Sequence, residues 1–567
     1  MNLQELLETI NSPVNLLPHQ VEHVDKIWNS FMKYGELSYI DTSRTGLGKT
    51  HIALEIAYRL QKLFGMRVGI VAPNQQSIQN DDGWLKWAEK YGIVIEKAIT
   101  YASLRGRGGS ISNGWLIKDP ESKKKGYHAT EHFRTIAKAG LFLIFDEFHM
   151  ATRESSTHFA CSALARVCAR YPSKCRIGLL SLTPGDKDMH YPQIVRLTGL
   201  IQCLSIVKHV PFSRDYIWED RGLGEMIDAC VLRGADRQLL TAQLVPLSMG
   251  RAKHLIGKFY NEYVKNRICF AMPAPTDTNK ITMRNCFLKC YKDDIPNLND
   301  AISKLCDGAS WDGYEAGETN KWNLGQINVA LKEIERYKLR TIARYIGEKS
   351  QSEPNKKFIV SMGSRGTVHF EYLQQIMSSM EITTPKGIEI MINKARMDPT
   401  NVWSRVSHDV LNLILTMAYK PKVDIMTGET KVAERVKILR RFQAKHSDSW
   451  CLLISPGVGD KSISLHDKHG NHPRELIVVP DHYHTRLTQI TGRTNRIGVQ
   501  SDVEVSLIYC KETRLETSVL HSMARKSKTA KDMLATNQDH LFPGNFDIWV
   551  EKDRNNVMTH EIRAQMI

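Results

Sequence analysis

The sequence predicts an α/β protein of two parallel-sheet lobes, with a mostly helical insertion between them and a helical brace at the C-terminal end. Two observations predict it. Short apolar, β-branched runs alternate with helical patterns in two separate stretches, the mark of parallel strands joined by crossover helices. The chain of 567 residues is also long enough for two or three cores. In the first stretch, strands fall at Leu37–Ile40, Arg67–Ala72, Leu141–Phe145 and Arg176–Ser181. In the second they fall at Phe358–Ser361, Val423–Met426, Cys451–Ile454, Glu475–Val479 and Val503–Tyr509. Helices such as His51–Phe64 and Val432–Ala444 lie between them. The expected division is 1–205 for the first lobe, 206–339 for the insertion and linker, 340–515 for the second lobe and 516–567 for the tail. A helix is expected over Leu515–Leu534.

Composition narrows the class. Lys and Arg number 77 against 61 Asp and Glu, a formal charge of +16. Such an excess suits a polyanionic partner, because each neutralised phosphate releases counterions, although general solubility would account for it equally. Apolar runs such as Leu141–Phe145 and Leu411–Met417 are far too short for a membrane span. The start, Met1-Asn2-Leu3-Gln4-Glu5, has no basic segment followed by an apolar one, so a soluble, intracellular protein is expected. Cys286 and Cys290, with Cys306 beyond, lack the second close pair or suitable histidine that zinc needs. Cys161, Cys168 and Cys175 recur every seven residues, but Pro172 ends the helix first, and buried reduced thiols are the expectation. The basic stretch Arg251–Lys258, interleaved with Phe259, Tyr260 and Tyr263, reads as a nucleic-acid-facing helix or a solvated amphipathic face.

Three motifs carry chemistry. Ser43-Arg-Thr-Gly-Leu-Gly-Lys-Thr50 directly follows a predicted strand and opens a helix. Thr45, Gly46, Leu47 and Gly48 would wrap a phosphate with backbone amides, Lys49 would reach the β- and γ-phosphates, and the Thr50 hydroxyl would hold Mg²⁺. Ser43 stands where the general P-loop pattern has its first glycine. The second motif is the apolar strand Leu141–Phe145 running into Asp146-Glu147-Phe148-His149. Adjacent carboxylates at a strand end let Asp146 take the metal and Glu147 position or deprotonate the attacking water. Third is Gln489-Ile-Thr-Gly-Arg-Thr-Asn-Arg-Ile-Gly498, whose Arg493 and Arg496 are expected on one helical face as candidates for a cation at the γ-phosphate. Arg496 is the stronger candidate and Arg493 the second.

Taken in order, Leu17-Pro-His-Gln20, the P-loop, Val71-Ala-Pro73, Ile99-Thr-Tyr-Ala-Ser-Leu104, the Asp-Glu-Phe-His box, Leu180-Ser-Leu-Thr-Pro184 and the Gln489–Gly498 motif resemble superfamily-two helicases, with two RecA-like lobes. More narrowly they resemble Swi/Snf-type double-stranded DNA translocases: Gly46–Thr50 matches that family's loop, and Arg493–Gly498 matches its last motif up to Val499. The resemblance implies that Gln20 recognises adenine and that Thr100 and Tyr101 face a nucleic-acid backbone. It further implies that Ser181 and Thr183 couple ATP state to lobe movement, and that Ser361 and Arg365 lie at a strand-tracking motif. Departures are Phe148 for a small residue, Asn495 for a frequent histidine, and Val458-Gly459-Asp460 where a double glycine is usual.

The expected activity is therefore ATP hydrolysis with Mg²⁺, driven by nucleic acid, with duplex DNA the leading partner and translocation or remodelling of bound complexes the outcome. A strand-separating DNA or RNA helicase is the second reading. A subunit of a transcription or replication machine that mainly binds is the third, and the intact pair Asp146 and Glu147 places it last.

Overall fold

In the computed structural model, which describes residues 12–80, 83–106, 113–119, 126–203, 207–209, 216–218, 220–242, 249–273, 281–288, 324–362, 411–412, 415–416, 419, 422–428, 430–455, 463–479, 484–496, 498–510 and 514–535, the chain divides into two units. Met1–Thr276 with Lys526–Leu541 make the first; Asp277–Arg525 with Phe542–Ile567 make the second. Each is built on a six-stranded sheet with helices between its strands, the α/β architecture of RecA-like lobes.

The first sheet comprises β1 (Ser38–Asp41), β2 (Arg67–Ala72), β3 (Ile95–Thr100), β4 (Leu141–Asp146), β5 (Cys175–Leu180) and β6 (Cys269–Phe270), in the order β6-β1-β5-β4-β2-β3. All its pairings are parallel. Strands covered on both faces read as unbroken apolar runs, and Leu141–Phe145 is buried at every residue. Helices α1 (Pro18–Met32), α2 (Lys49–Phe64), α3 (Trp84–Lys90) and α4 (Ser156–Ala169) belong to this unit. Helix α4 stops at Ala169, just before Pro172, and Cys161, Cys168 and Cys175 are buried thiols on α4 and β5.

The second sheet comprises β7 (Ile281–Leu288), β8 (Lys357–Ser361), β9 (Val423–Met426), β10 (Cys451–Ile454), β11 (Arg474–Val478) and β12 (Val503–Cys510), ordered β7-β12-β11-β8-β10-β9 and again wholly parallel. Strands expected from the sequence are present to within a residue or two at each end. Of the twelve described strands in these two sheets, three were not expected: β3, β6 and β7. All three are edge strands, where one side lacks a neighbour, so charged and polar residues such as Glu96, Lys97, Arg284 and Asn285 interrupt the apolar run.

The segment read as an insertion, 206–339, is shared instead between the two units, which part at Thr276 and Asp277. Its first portion supplies β6 and packs Met226, Cys230, Leu240, Ile256, Phe259 and Tyr260 into the first core. Phe259 and Tyr260, at the end of the basic helix α5 (Met249–Phe259), are thus core side chains rather than platforms for bases. The later portion supplies β7 and begins the long helix α6 (Leu324–Ser352) of the second unit, in which α7 (Val432–Gln443) joins β9 to β10. No helix among the described residues is long and apolar enough to cross a membrane.

One buried charge cluster fixes α6 to its sheet. Glu475, fully buried at the start of β11, meets Lys349 Nζ at 2.6 Å and Lys356 Nζ at 3.8 Å, while Tyr345 and Ser506 donate hydroxyl hydrogen bonds to it at 2.8 and 2.7 Å. Both lysines also pair with Glu504. Removing one partner of a buried pair strands the other charges. Glu475→Ala should therefore lower the unfolding free energy of the second unit by about 3 kcal/mol; a loss under about 1 kcal/mol in denaturant titration would show the cluster to be incidental.

Candidate active site

Parallel strands deliver their following loops to one edge of a sheet, the place where open α/β folds bind ligands. In the first unit the register is informative. Asp41, the last residue of β1, and Asp146, the last of β4, both pair with Leu180 of the intervening β5. The phosphate-loop candidate and the acid pair are therefore level, two strand spacings or roughly 10 Å apart. Ser181 leaves β5 between them, and its N–H donates to the Asp41 carbonyl at 3.1 Å.

The loop from Asp41 to Lys49 is held at both ends by α1. At its base, the fully buried Asp41 carboxylate accepts from Ser43 N–H at 2.8 Å and faces His23 Nε2 at 3.3 Å. Burial alone would raise the Asp41 pKa, but His23, Lys49 and the Ser43 side chain outweigh it and hold the carboxyl below its ordinary value. At the far end, one turn earlier on α1, Gln20 Nε2 donates to the Leu47 carbonyl at 2.9 Å while its Oε1 accepts from Leu17 N–H at 3.0 Å. Gly46 and Gly48 have φ of 90° and 94°, and a side chain at Gly48 would collide with the Gln20 amide. Only glycine serves there. Thr45 and Leu47 are buried, and α2 starts at Lys49 behind Gly48, which brings no side-chain cap, the kind of helix N-terminus that suits an anion. Lys49 Nζ donates to the loop's own carbonyls, Ser43 at 2.6 Å and Arg44 at 3.4 Å, and Thr50 follows at the helix start.

The acid pair is equally constrained. Asp146 Oδ2 accepts from the indole N–H of the buried Trp84 at 2.9 Å. Glu147 adopts a left-handed backbone, φ 52° and ψ 48°, an unfavourable conformation for a non-glycine residue that turns the chain sharply out of β4. Its Oε2 lies 3.3 Å from His149 Nδ1, which is also 3.0 Å from Ser181 Oγ; Ser181 Oγ in turn accepts from Thr183 N–H at 3.2 Å. His149 Nδ1 thus lies between the Glu147 carboxylate and the Ser181 hydroxyl, and both Ser181 and Thr183 are fully buried. The donors suit Mg²⁺, which takes oxygen ligands and is usually held by one or two carboxylates plus substrate phosphates rather than by a protein cage. The Thr50 hydroxyl and the Asp146 carboxylate are of that kind, and no cluster of three or more metal-ligating side chains occurs among the described residues.

Several expected contacts need correction. Tyr101 does not face outward: it is buried, and its hydroxyl donates to the Asp146 backbone carbonyl at 2.9 Å, bracing the acid strand. Thr100 is also buried and caps the short helix Tyr101–Leu104 through Ser103 N–H, so the exposed side chains at this strand end are Ser103 and Arg105. In the second unit, Ser361 ends β8 and is buried, and Arg365 lies outside the described residues, as do residues 456–462 of the following motif. Gln489 is buried on α8 (His484–Thr494). Arg493 and Arg496 do not share a helical face, because α8 ends at Thr494: Arg493 is in its last turn and buried, whereas Arg496 is in the half-buried turn beyond, closed by Val499 N–H to the Arg496 carbonyl at 3.0 Å. Burial, with Arg496 beside it, pushes the His466 imidazole down to about 4.

Asp41, His23 and Trp84 were not singled out from the sequence. An acid closing an apolar strand just before the loop, with a histidine three residues after Gln20 on one helix, was the available signal for the first two. Trp84 offered none, because its partner lies 62 residues away.

Residues 13–184 match the family described as type III restriction enzyme, res subunit, a stretch that begins ahead of Gln20 and ends just past Thr183. The chain is also similar, at 23% identity over 518 residues, to a protein of Acanthamoeba polyphaga mimivirus named an ATP-dependent RNA helicase; the similarity covers 90% of this chain and 82% of that protein.

Two outcomes follow from the geometry. Glu147→Gln should abolish ATP turnover and leave nucleotide binding in place; full turnover in that variant would remove Glu147 from the chemistry. Trp84→Phe keeps the ring but deletes the donor to Asp146, and should raise the Mg²⁺ concentration for half-maximal ATPase about tenfold, as loss of a ligand's outer hydrogen bond commonly does. An unchanged Mg²⁺ dependence would make that hydrogen bond irrelevant to the metal.

Proposed function

We propose that this chain, a helicase-type enzyme that hydrolyses ATP in a nucleic-acid-dependent manner, is a motor that moves along duplex DNA and remodels or displaces what is bound there. The observation that carries the reading is the alignment at one sheet edge of the P-loop, Ser181 and the acid pair, with His149 joining the last two. In this reading the Lys49 amine and the amides of Thr45 to Thr50 bind the phosphates, and Gln20 reads the adenine with the N–H and lone pair its two hydrogen bonds leave over. Thr50 and Asp146 hold Mg²⁺, which when bound neutralises phosphate charge. Glu147 orients the attacking water and accepts its proton, and His149 holds that carboxylate while Ser181 and Thr183 relay its state. Arg496 supplies the cation that the phosphoryl group needs as charge develops, with Arg493 and Gln489 supporting it.

Duplex translocation rests on the likeness of the loop Gly46–Thr50 and of the closing motif Arg493–Gly498 to Swi/Snf-type sequences. Strand separation on RNA is the competing reading, favoured by the name of the mimivirus relative. The excess of positive charge serves either substrate, since phosphate contacts position a protein without reading bases. A larger transcription, replication or remodelling assembly is a compatible setting.

ATPase rates measured in parallel with no nucleic acid, single-stranded DNA, duplex DNA and RNA decide among these. Duplex DNA should give the largest stimulation, with displacement of a triplex third strand and no unwinding of a forked duplex. Stimulation by RNA alone together with fork unwinding would reverse the order. Arg496→Ala should lower the stimulated kcat by about a thousandfold, the scale of a cationic contact to a transferring phosphoryl group; a loss under about tenfold would assign the role elsewhere.

A further inference from the structure

Ser43 occupies the position where the P-loop pattern begins with glycine, yet its backbone is not left-handed, so conformation does not demand a glycine there. Its side chain has another engagement. Ser43 Oγ accepts a hydrogen bond at 2.8 Å from the backbone N–H of Met272, a residue 229 positions later and almost wholly buried. The neighbouring backbone repeats the attachment. Thr42 N–H donates to the Phe270 carbonyl at 2.8 Å, its hydroxyl donates to the same carbonyl at 3.1 Å, and β1 pairs with β6 through Ile40 with Cys269 and Asp41 with Phe270.

The strand so attached is the one by which the chain leaves the first unit. Thr276 is that unit's last residue before Asp277 opens the second, four positions beyond Met272. The returning C-terminal segment, Lys526–Leu541, touches the same place: Lys265 Nζ donates to the Asp532 carbonyl at 2.9 Å and Cys269 Sγ to the Met533 carbonyl at 3.8 Å. Ser43 also has a connection on its nucleotide side, because its carbonyl is the acceptor of Lys49 Nζ at 2.6 Å. A lysine that moves to a phosphate gives that bond up. One buried residue therefore touches the phosphate-seeking amine through its carbonyl and, through its hydroxyl, the backbone just beyond β6.

We infer that Ser43 is a positioning residue that transmits nucleotide occupancy of the P-loop to the strand leading out of the first unit. This rests on the ATPase reading and goes beyond it, in naming where the loop's state leaves the lobe. Hydrogen–deuterium exchange on the full chain tests it, with ADP–beryllium fluoride and Mg²⁺ as the probe, on wild type, Ser43→Ala and Ser43→Thr. Without nucleotide, Ser43→Ala should speed exchange of the Met272 amide roughly fivefold, the effect of one lost hydrogen bond. In wild type the probe should alter exchange both in the loop 43–50 and in residues 269–273. In Ser43→Ala the loop should still respond while residues 269–273 do not, and Ser43→Thr, which keeps the hydroxyl, should restore the second response. Equal responses of residues 269–273 in wild type and Ser43→Ala, or none in wild type beside a responding loop, overturn the inference alone. A wild-type loop that ignores the probe overturns the nucleotide reading, and this inference with it.

Discussion

The parallel register of β1, β5 and β4 is the constraint on which the rest depends. Because Asp41 and Asp146 both stand opposite Leu180, the loop after β1 and the carboxylates after β4 emerge at the same level, with Ser181 between. A slip of one residue would turn every side chain of the slipped strand to the other face of the sheet and put the acid pair out of step with the loop. Beneath that edge β4 and β5 are packed through apolar sequence, Leu141 to Phe145 and Ile177 to Leu180 with only Gly178 interrupting. Chemistry at the edge is thus a consequence of packing beneath it.

On that frame the polar groups are fixed by neighbours with few alternatives. Asp41 is buried without exposure and would be costly as an unpaired charge; His23 and the Ser43 N–H offset the cost, and the result is a P-loop whose first residue cannot drift. Trp84 and Tyr101 do the corresponding work at Asp146, one on the carboxylate and one on the backbone carbonyl. Glu147, held in a left-handed turn, is steered by His149 rather than by a rigid strand. The carboxylate proposed for the metal is held more tightly than the one proposed for the water, as their tasks require: the first must keep a ligand geometry, the second must let a proton come and go.

What the sequence revealed and what it hid follow a physical division. The loop Ser43–Thr50 and the box Asp146–His149 are local: spacing along the chain nearly equals arrangement in space, since each sits at one strand end. Central strands were legible because burial on both faces leaves continuous apolar runs. Among edge strands β9 was legible, whereas β3 and β7 carry charged and polar residues such as Glu96 and Arg284 within the run and β6 is only two residues long. Contacts joining distant segments were hidden altogether, among them Trp84 to Asp146 and Met272 to Ser43. Tyr101 shows the same limit from the other side. Its place at a strand end suggested an outward role, and only the fold shows its hydroxyl turned back to brace β4. The expectation that Arg493 and Arg496 share a face failed because α8 ends at Thr494, two residues before Arg496.

A crystal structure of the chain with ADP–beryllium fluoride and Mg²⁺ tests the central claim most directly. The account predicts the phosphate mimic cradled by the amides of Gly46 to Thr50, with Lys49 Nζ released from the Ser43 carbonyl and about 3 Å from a phosphate-mimic ligand, and Mg²⁺ near Thr50 and Asp146. Nucleotide bound away from this edge, or Lys49 still on the Ser43 carbonyl with the ligand present, would contradict it.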